Sequence, residues 1–379
     1  VDLTHSPADE AFRAEAREWL HAHVPPEPLP SLETAEGFAA HRAWEAELAS
    51  GGWSVVNWPR RYGGRECGLV RWLLFEEEYY AAGAPGRVGQ NGVSLLAPTL
   101  FEHGTEEQRA RVLPAMARGE TVWAQAWSEP EAGSDLASLR ARAVRVPGGW
   151  RLGGQKAWSS RAAFADRAFG LFRSDPGAPK PHQGLTYVMF DLRAEGVTVR
   201  PIGRLDGKPA FAELFLDEVF VPDEDVIGEP GQGWRIAMAT AADERGLTLR
   251  SPGRFLAAAE RLHALWRAQG SPQGARAQVA DALIGARAYQ LATYATASRF
   301  LGGERVGAEA SLNKVFWSEY DIALHETALD LLGEEGEFAD AEWSQRYVFA
   351  LAGPIYAGTN EIQRDIIAEH LLGLPRGRR

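Results

Sequence analysis

Twice along this chain the spacing of apolar residues changes period, and those two changes limit its fold more than any other feature. From Pro7 to Val24, the residues Phe12, Ala16, Trp19 and Leu20 fall three and four apart, the spacing of one helical face. Helical runs follow at Glu33–Ser50, Val70–Ala82, Val93–His103 and Thr105–Arg118. The last opens on a capping residue, Thr105, with Glu106 and Glu107 at the positive end of the helix. From about Thr121 the period falls to two. Leu139–Val146 and the runs GWRLGG, RAFGLF, LTYVMFDL, VTVRPI and AELFLDEV are short, alternating, and parted by Gly, Pro and Asp. They predict about seven strands, ending near Val226. From Trp234 the helical spacing returns, through Leu256–Gln269, Gly274–Leu301, Ala308–Leu332 and a last helix from Thr359 to about Leu372. Such segregation is α+β, in separate layers or domains, and not a doubly wound sheet. The expected divisions are helical 1–120, β 121–226 and helical 227–379.

Composition removes several functions. A net charge of −11 argues against nucleic acid, whose phosphates need a basic surface, but leaves room for a local pocket that holds an anionic small molecule. The single cysteine, Cys67, allows no internal disulfide and suits a reducing cytoplasm. No cysteine spacing and no H-x-x-x-H pair suggests a metal site. The first residues are polar and acidic, without the pattern of a signal peptide, and no apolar run approaches the ~18 residues of a membrane span. A soluble, cytoplasmic protein is expected. No G-x-G-x-x-G follows a strand, GEPGQGW (Gly228–Trp234) has the wrong spacing, and no G-x-x-x-x-G-K-[ST] loop is present. A dinucleotide bound here is therefore bound without a dinucleotide fold.

Two stretches carry more than local structure. Ala126–Val146 reads AWSEPEAGSDLASLRARAVRV, and Gly153–Ser160 reads GGQKAWSS. By themselves Pro130, Gly133, Ser134 and Asp135 describe a turn between strands. Joined to WPRRYGG (Trp58–Gly64), GEPGQGW and the closing YAGTNEIQRDIIAEHLLGLPR, they resemble the acyl-CoA dehydrogenase family, with its motifs T/S-E-P-x-A-G-S-D and G-x-K-x-W-I-T/S. The resemblance spans almost the whole chain. It implies an N-terminal helical domain, a middle β-barrel or sandwich domain and a C-terminal four-helix bundle, with FAD as cofactor and an acyl-CoA as substrate. A flavin gathers negative charge on reduction, so the protein must supply hydrogen-bond donors around it. By motif position, Ala126, Trp127 and Ser128 would face the isoalloxazine and Trp158 would cover one side. Ser159 and Ser160 follow, Ser160 standing where a threonine is more usual, and Ser134 would lie along the CoA. Thr359, Asn360 and Glu361 open the last helix, where capping and pyrophosphate binding are compatible. Tyr356 and Gly358 fall at the substrate wall, although a core position explains Tyr356 equally well.

One departure concerns the base. Many members read Y-E-G-T, and that glutamate removes the α proton. Here the segment is Tyr356-Ala357-Gly358-Thr359, and alanine takes no proton. Isovaleryl- and long-chain-type members supply the carboxylate from another helix, just before an arginine, and ADERGLTL places Glu244 and Arg245 there. The α C–H of a thioester is a very weak acid, so the base must lie in a dry pocket while the carbonyl is polarised. The resemblance assigns that polarisation to a ribityl hydroxyl and to the backbone N–H of Ala357. A solvated helix charge explains a Glu-Arg pair as well, and Asp243, roughly a hundred degrees around the helix, is the nearest substitute. A second departure lies in Leu249–Gly285, which lacks the family's R-x-x-F-G…Q stretch that reaches a neighbour's FAD; Pro252 also interrupts a long helix there. The expected activity is dehydrogenation to the trans-2-enoyl-CoA, by α-proton abstraction and β-hydride transfer. An electron-transfer flavoprotein would accept the electrons from a homodimer or homotetramer joined through the C-terminal helices. The alternatives are a partner subunit of a heterotetramer, and an oxidase or monooxygenase on the same fold.

Overall fold

A computed structural model describes residues 5–245, 251–304, 307–338 and 341–376, excepting the side chains of 242–245. Five helices open the described chain: α1 Pro7–His23, α2 Ala35–Ser50, α3 Leu69–Ala81, α4 Ala97–His103 and α5 Glu106–Ala117. Strands follow as β1 Trp123–Ala126, β2 Arg142–Val146, β3 Gly149–Ser160, β4 Arg167–Arg173, β5 Leu185–Asp191, β6 Val197–Ile202, β7 Phe211–Pro222 and β8 Val226–Ile227. Helices return as α6 Gly233–Arg245, α7 Pro252–Ala268, α8 Arg276–Leu301, α9 Glu309–Leu332, α10 Glu342–Ala350 and α11 Asn360–Ile366. The helical, β, helical order read from the period changes is the order found. Contacts divide the chain into two units that interleave along it. A sheet unit holds Pro25–Glu66 and Pro85–Glu244, and a helical unit holds Val1–Val24, Cys67–Ala84 and Arg245–Arg379.

In the sheet unit the strands run in the order β6-β7-β3-β2-β4-β5-β8, with β1 pairing parallel to β4. Alternation along a strand sends successive side chains to opposite faces. Phe169 and Leu171 of β4 join Trp123, Tyr187 and Met189 on one face, where Leu100, Leu113 and Ile236 from α4, α5 and α6 cover them. Ala168 and Phe172 turn to the other, with Trp150, Leu152, Phe190 and Leu214. Thr105 caps α5 as expected, and its reciprocal partner is the Gln108 side chain. The same Gln108 amide donates to the carbonyls of Glu224 (2.9 Å) and Val226 (2.7 Å), fastening the helix to the sheet's end. Strand β3 is longer than the run GWRLGG suggested, because it absorbs the irregularity at Gly154. There φ is +131°, and a Cβ would lie 2.8 Å from the Ala141 Cα, so glycine alone fits.

The helical unit packs α7, α8 and α9 around Phe255, Leu262, Tyr289, Trp317 and Leu324. Pro252 does break the helical run, and it also begins the next helix. Ser251 caps α7 by accepting from the Gly253 N–H, and a proline in the first turn lacks a hydrogen that would have had no partner. Helix α7 therefore starts four residues before Leu256. At Gly253 the approach to α3 is close: a Cβ would stand 2.7 Å from the Glu76 carbonyl oxygen. Helix α10 was not expected, and α11 ends in a wider π turn over Ile367–Leu371. Among the described residues no helix is long and apolar enough to cross a membrane.

Candidate active site

In the sheet unit the two recognised stretches meet. Past β1 the chain stays beside β3, where the Ala157 N–H donates to the Ser128 carbonyl at 2.9 Å. One residue further, β3 bulges between Lys156 and Ser159, and Trp158 sits there at φ +59°. A non-glycine residue with that φ carries strain, of the kind that gathers at functional sites. The bulge turns the indole outward, 60% exposed, with an edge contact to Phe211 at 5.8 Å between centroids. Beside it Ser128 and Ser160 are half-buried, while Ala126, Trp127 and Ser159 are buried. Ser134 is exposed on the following loop.

What holds this loop was not read from the sequence. Lys156, fully buried, pairs with Glu129 at 2.8 Å and donates to the carbonyls of Leu171 (2.7 Å) and Trp127 (3.3 Å). The Glu129 carboxylate accepts in turn from the N–H groups of Arg140 (2.7 Å) and Ala141 (2.9 Å). One ion pair thus pins both ends of the segment that carries Ser128 and Ser134. Burial pushes the Lys156 ammonium down to about 8, against the opposing pull of Glu129. Both residues stand in the quoted motifs as E and K, which was the available signal.

In the helical unit the other candidates lie on one turn. Thr359 caps α11, its hydroxyl accepting from the Ile362 N–H at 3.4 Å. The Asn360 side chain is spent inward: its Oδ1 accepts from Lys314 Nζ (2.7 Å) and Ser318 Oγ (3.1 Å), and its Nδ2 donates to Glu319 (3.2 Å). Its backbone N–H is spent as well, donating to the Pro354 carbonyl at 2.8 Å, so Asn360 holds the turn. Glu361 is exposed. Tyr356 is half-buried and packs on Trp317 at 5.9 Å, so it serves the core and borders the turn at once. Ala357 and Gly358 have successive positive φ, +58° and +77°. The Gln363 amide, which sequence reasoning passed over, donates to both of their carbonyls. Asp243, Glu244 and Arg245 end α6, and their side chains lie outside the described residues.

The donor set fits a flavin. A flavin offers a broad apolar face and a polar rim, and the end of β3 presents an exposed indole flanked by two half-buried hydroxyls. In the helical unit, taken by itself, the N–H groups of Ala357, Gly358 and Thr359 meet no acceptor among the described residues.

Comparison with known proteins identifies the family. Family models for the acyl-CoA dehydrogenase N-terminal, middle and C-terminal domains match residues 6–120, 124–219 and 231–372. The acyl-CoA dehydrogenase IpdE1 of Mycolicibacterium smegmatis is 37% identical over 97% of this chain and 98% of its own length. The Tcur3481-Tcur3483 steroid ACAD superposes with a TM-score of 0.88 at 29% identity, and the ChsE4-ChsE5 complex from Mycobacterium tuberculosis with 0.87 at 27%, each covering 100% of both chains. With all three family domains present in order and a full-length relative above a third identity, this chain belongs to the acyl-CoA dehydrogenase family.

Proposed function

We propose that this chain oxidises a CoA thioester between its α and β carbons, giving the trans-2-enoyl-CoA, with FAD as cofactor. The observation that carries the reading is the hydrogen bond between Ala157 and Ser128, which joins the two recognised motifs beside the outward-turned Trp158. Bound FAD would supply the acceptor for the β-hydride. Ser128 and Ser160 would hold its polar rim, Trp158 would cover a face and exclude water, and Ser134 would meet the CoA. The Ala357 N–H would hold the thioester carbonyl and favour enolate character at the α carbon. Glu244, followed by Arg245, would take the α proton, and Asp243 is the fallback. A division into 1–120, 121–226 and 227–379 is supported by the spans of the three family models.

We further infer that the chain works as one subunit of an assembly with a related partner and acts on a bulky, steroid-derived acyl group. Support comes from the two-chain names of its structural relatives, one called a steroid ACAD, and from the missing R-x-x-F-G…Q stretch. The helical unit's exposed Ile284, Leu291, Leu312 and Phe316 are apolar surface suited to such a contact. An electron-transfer flavoprotein would then reoxidise the flavin; peroxide release on turnover would instead mark an oxidase. The test is anaerobic flavin bleaching by straight, branched and steroid-side-chain CoA thioesters, with and without a partner chain. Glu244→Gln should keep FAD and bind acyl-CoA while flavin reduction falls at least ~10²-fold, the lower range for a general base. Bleaching at the parental rate would remove Glu244 as the base and bring Asp243 forward.

A further inference from the structure

We propose that Gln363 is a positioning residue that aims the backbone donors of the Ala357–Thr359 turn at the thioester carbonyl. The inference rests on the functional reading above. Gln363 is fully buried, and its Nε2 donates to the Ala357 carbonyl at 2.9 Å and to the Gly358 carbonyl at 3.3 Å. Both partners are carbonyl oxygens, so only the NH₂ end can face them. This orientation leaves Oε1 buried and without a partner among the described residues, a cost the fold accepts to keep the clamp.

The consequence follows from peptide geometry. In a trans peptide the N–H points opposite to the carbonyl of the same unit. Drawing the carbonyls of Ala357 and Gly358 toward Gln363 turns the N–H groups of Gly358 and Thr359 to the other side. The Ala357 N–H belongs to the preceding peptide, which is joined to the clamped one only through the Ala357 Cα. With that downstream plane fixed, ψ and φ at Ala357 set where this N–H points, and φ there is +58°. An alanine does not choose that φ unaided. The common family glutamate is missing at this position, so its side chain contributes no anchor, and the clamp from Gln363 supplies one.

The test uses the FAD-loaded protein in its native assembly. The probe is an aryl-acryloyl-CoA, whose absorption moves to longer wavelength when its thioester carbonyl accepts strong hydrogen bonds. Gln363→Met keeps the volume and removes the clamp. The variant should retain FAD and bind the probe, lose most of the red shift, and reduce its flavin about 10- to 100-fold more slowly, short of the ~10²–10³ for deleting an oxyanion donor outright. The double variant Ala357→Gly, Gln363→Met separates positioning from plain stability, because glycine takes a positive φ freely. It should recover thermal stability without the red shift, and it carries the test if the single variant does not fold. A full red shift and parental reduction rate in either variant would overturn the proposal. Failure of the parent itself to shift the probe or to be reduced by any acyl-CoA would instead overturn the functional reading, and this inference with it.

Discussion

The loop 127–141 in the sheet unit and the turn 354–363 in the helical unit present candidate site residues, and each is held from behind by buried polar side chains of opposite character. The loop hangs on a charge pair, Lys156 with Glu129, at 2.8 Å. The turn hangs on two side-chain amides, Gln363 and Asn360, the second of which accepts from the buried Lys314 ammonium. A buried charge is worth its partner only while both are present, whereas a neutral amide loses one hydrogen bond at a time. The loop should therefore fail abruptly and respond to pH, and the turn should fail by degrees.

The largest expected effect cuts the charge pair. Lys156→Met leaves Glu129 buried without its cation and should cost about 3–5 kcal/mol in urea unfolding, with FAD affinity falling alongside. Adding Glu129→Gln should return part of that loss. A cost below about 1 kcal/mol would erase the contrast between the regions. Asn360→Ala comes next: Lys314 and Ser318 lose their Asn360 acceptor, and unfolding should shift by about 1–3 kcal/mol. An equal or larger loss than Lys156→Met would reverse the ranking.

The smallest effect is the pH response. The Lys156 pKa of about 8 in the folded chain lies below its ordinary 10.5. Its burial penalty is thus complete below pH 8 and is relieved as pH rises toward 10.5, since the folded state sheds the proton first. Relative to Lys156→Met, the parent should gain thermal stability over that window, even as its loop loosens and FAD binding weakens. Identical slopes for the two proteins would show that Lys156 does not titrate there.

Much of the fold was legible because period is a local property. The switches near Thr121 and Trp234, the cap at Thr105 and the break at Pro252 each need only a few neighbouring residues. Helix α10 escaped because its run EWSQRYVFA is only 9 residues long, although Trp343, Tyr347 and Ala350 do fall four and three apart. The site residues were found through motifs. Their supports were not, because Glu129 and Lys156 lie 27 positions apart and are joined only by the register of β3. The bulge that exposes Trp158 was equally hidden: alternation cannot announce the residue that breaks it.

The interleaving of the two units has a consequence for how the chain is made. Helices α1 and α3 pack on each other, and α3 packs on α7, which begins only at Pro252. During synthesis the first helix leaves the ribosome more than two hundred residues before its unit can close, while the stretch from Pro85 to Glu244 emerges as one uninterrupted run. The sheet can form as it is made, and the first helices must wait with apolar faces uncovered. Helix α1 is made long before its unit is complete, and among the described elements it is one of the last to be folded.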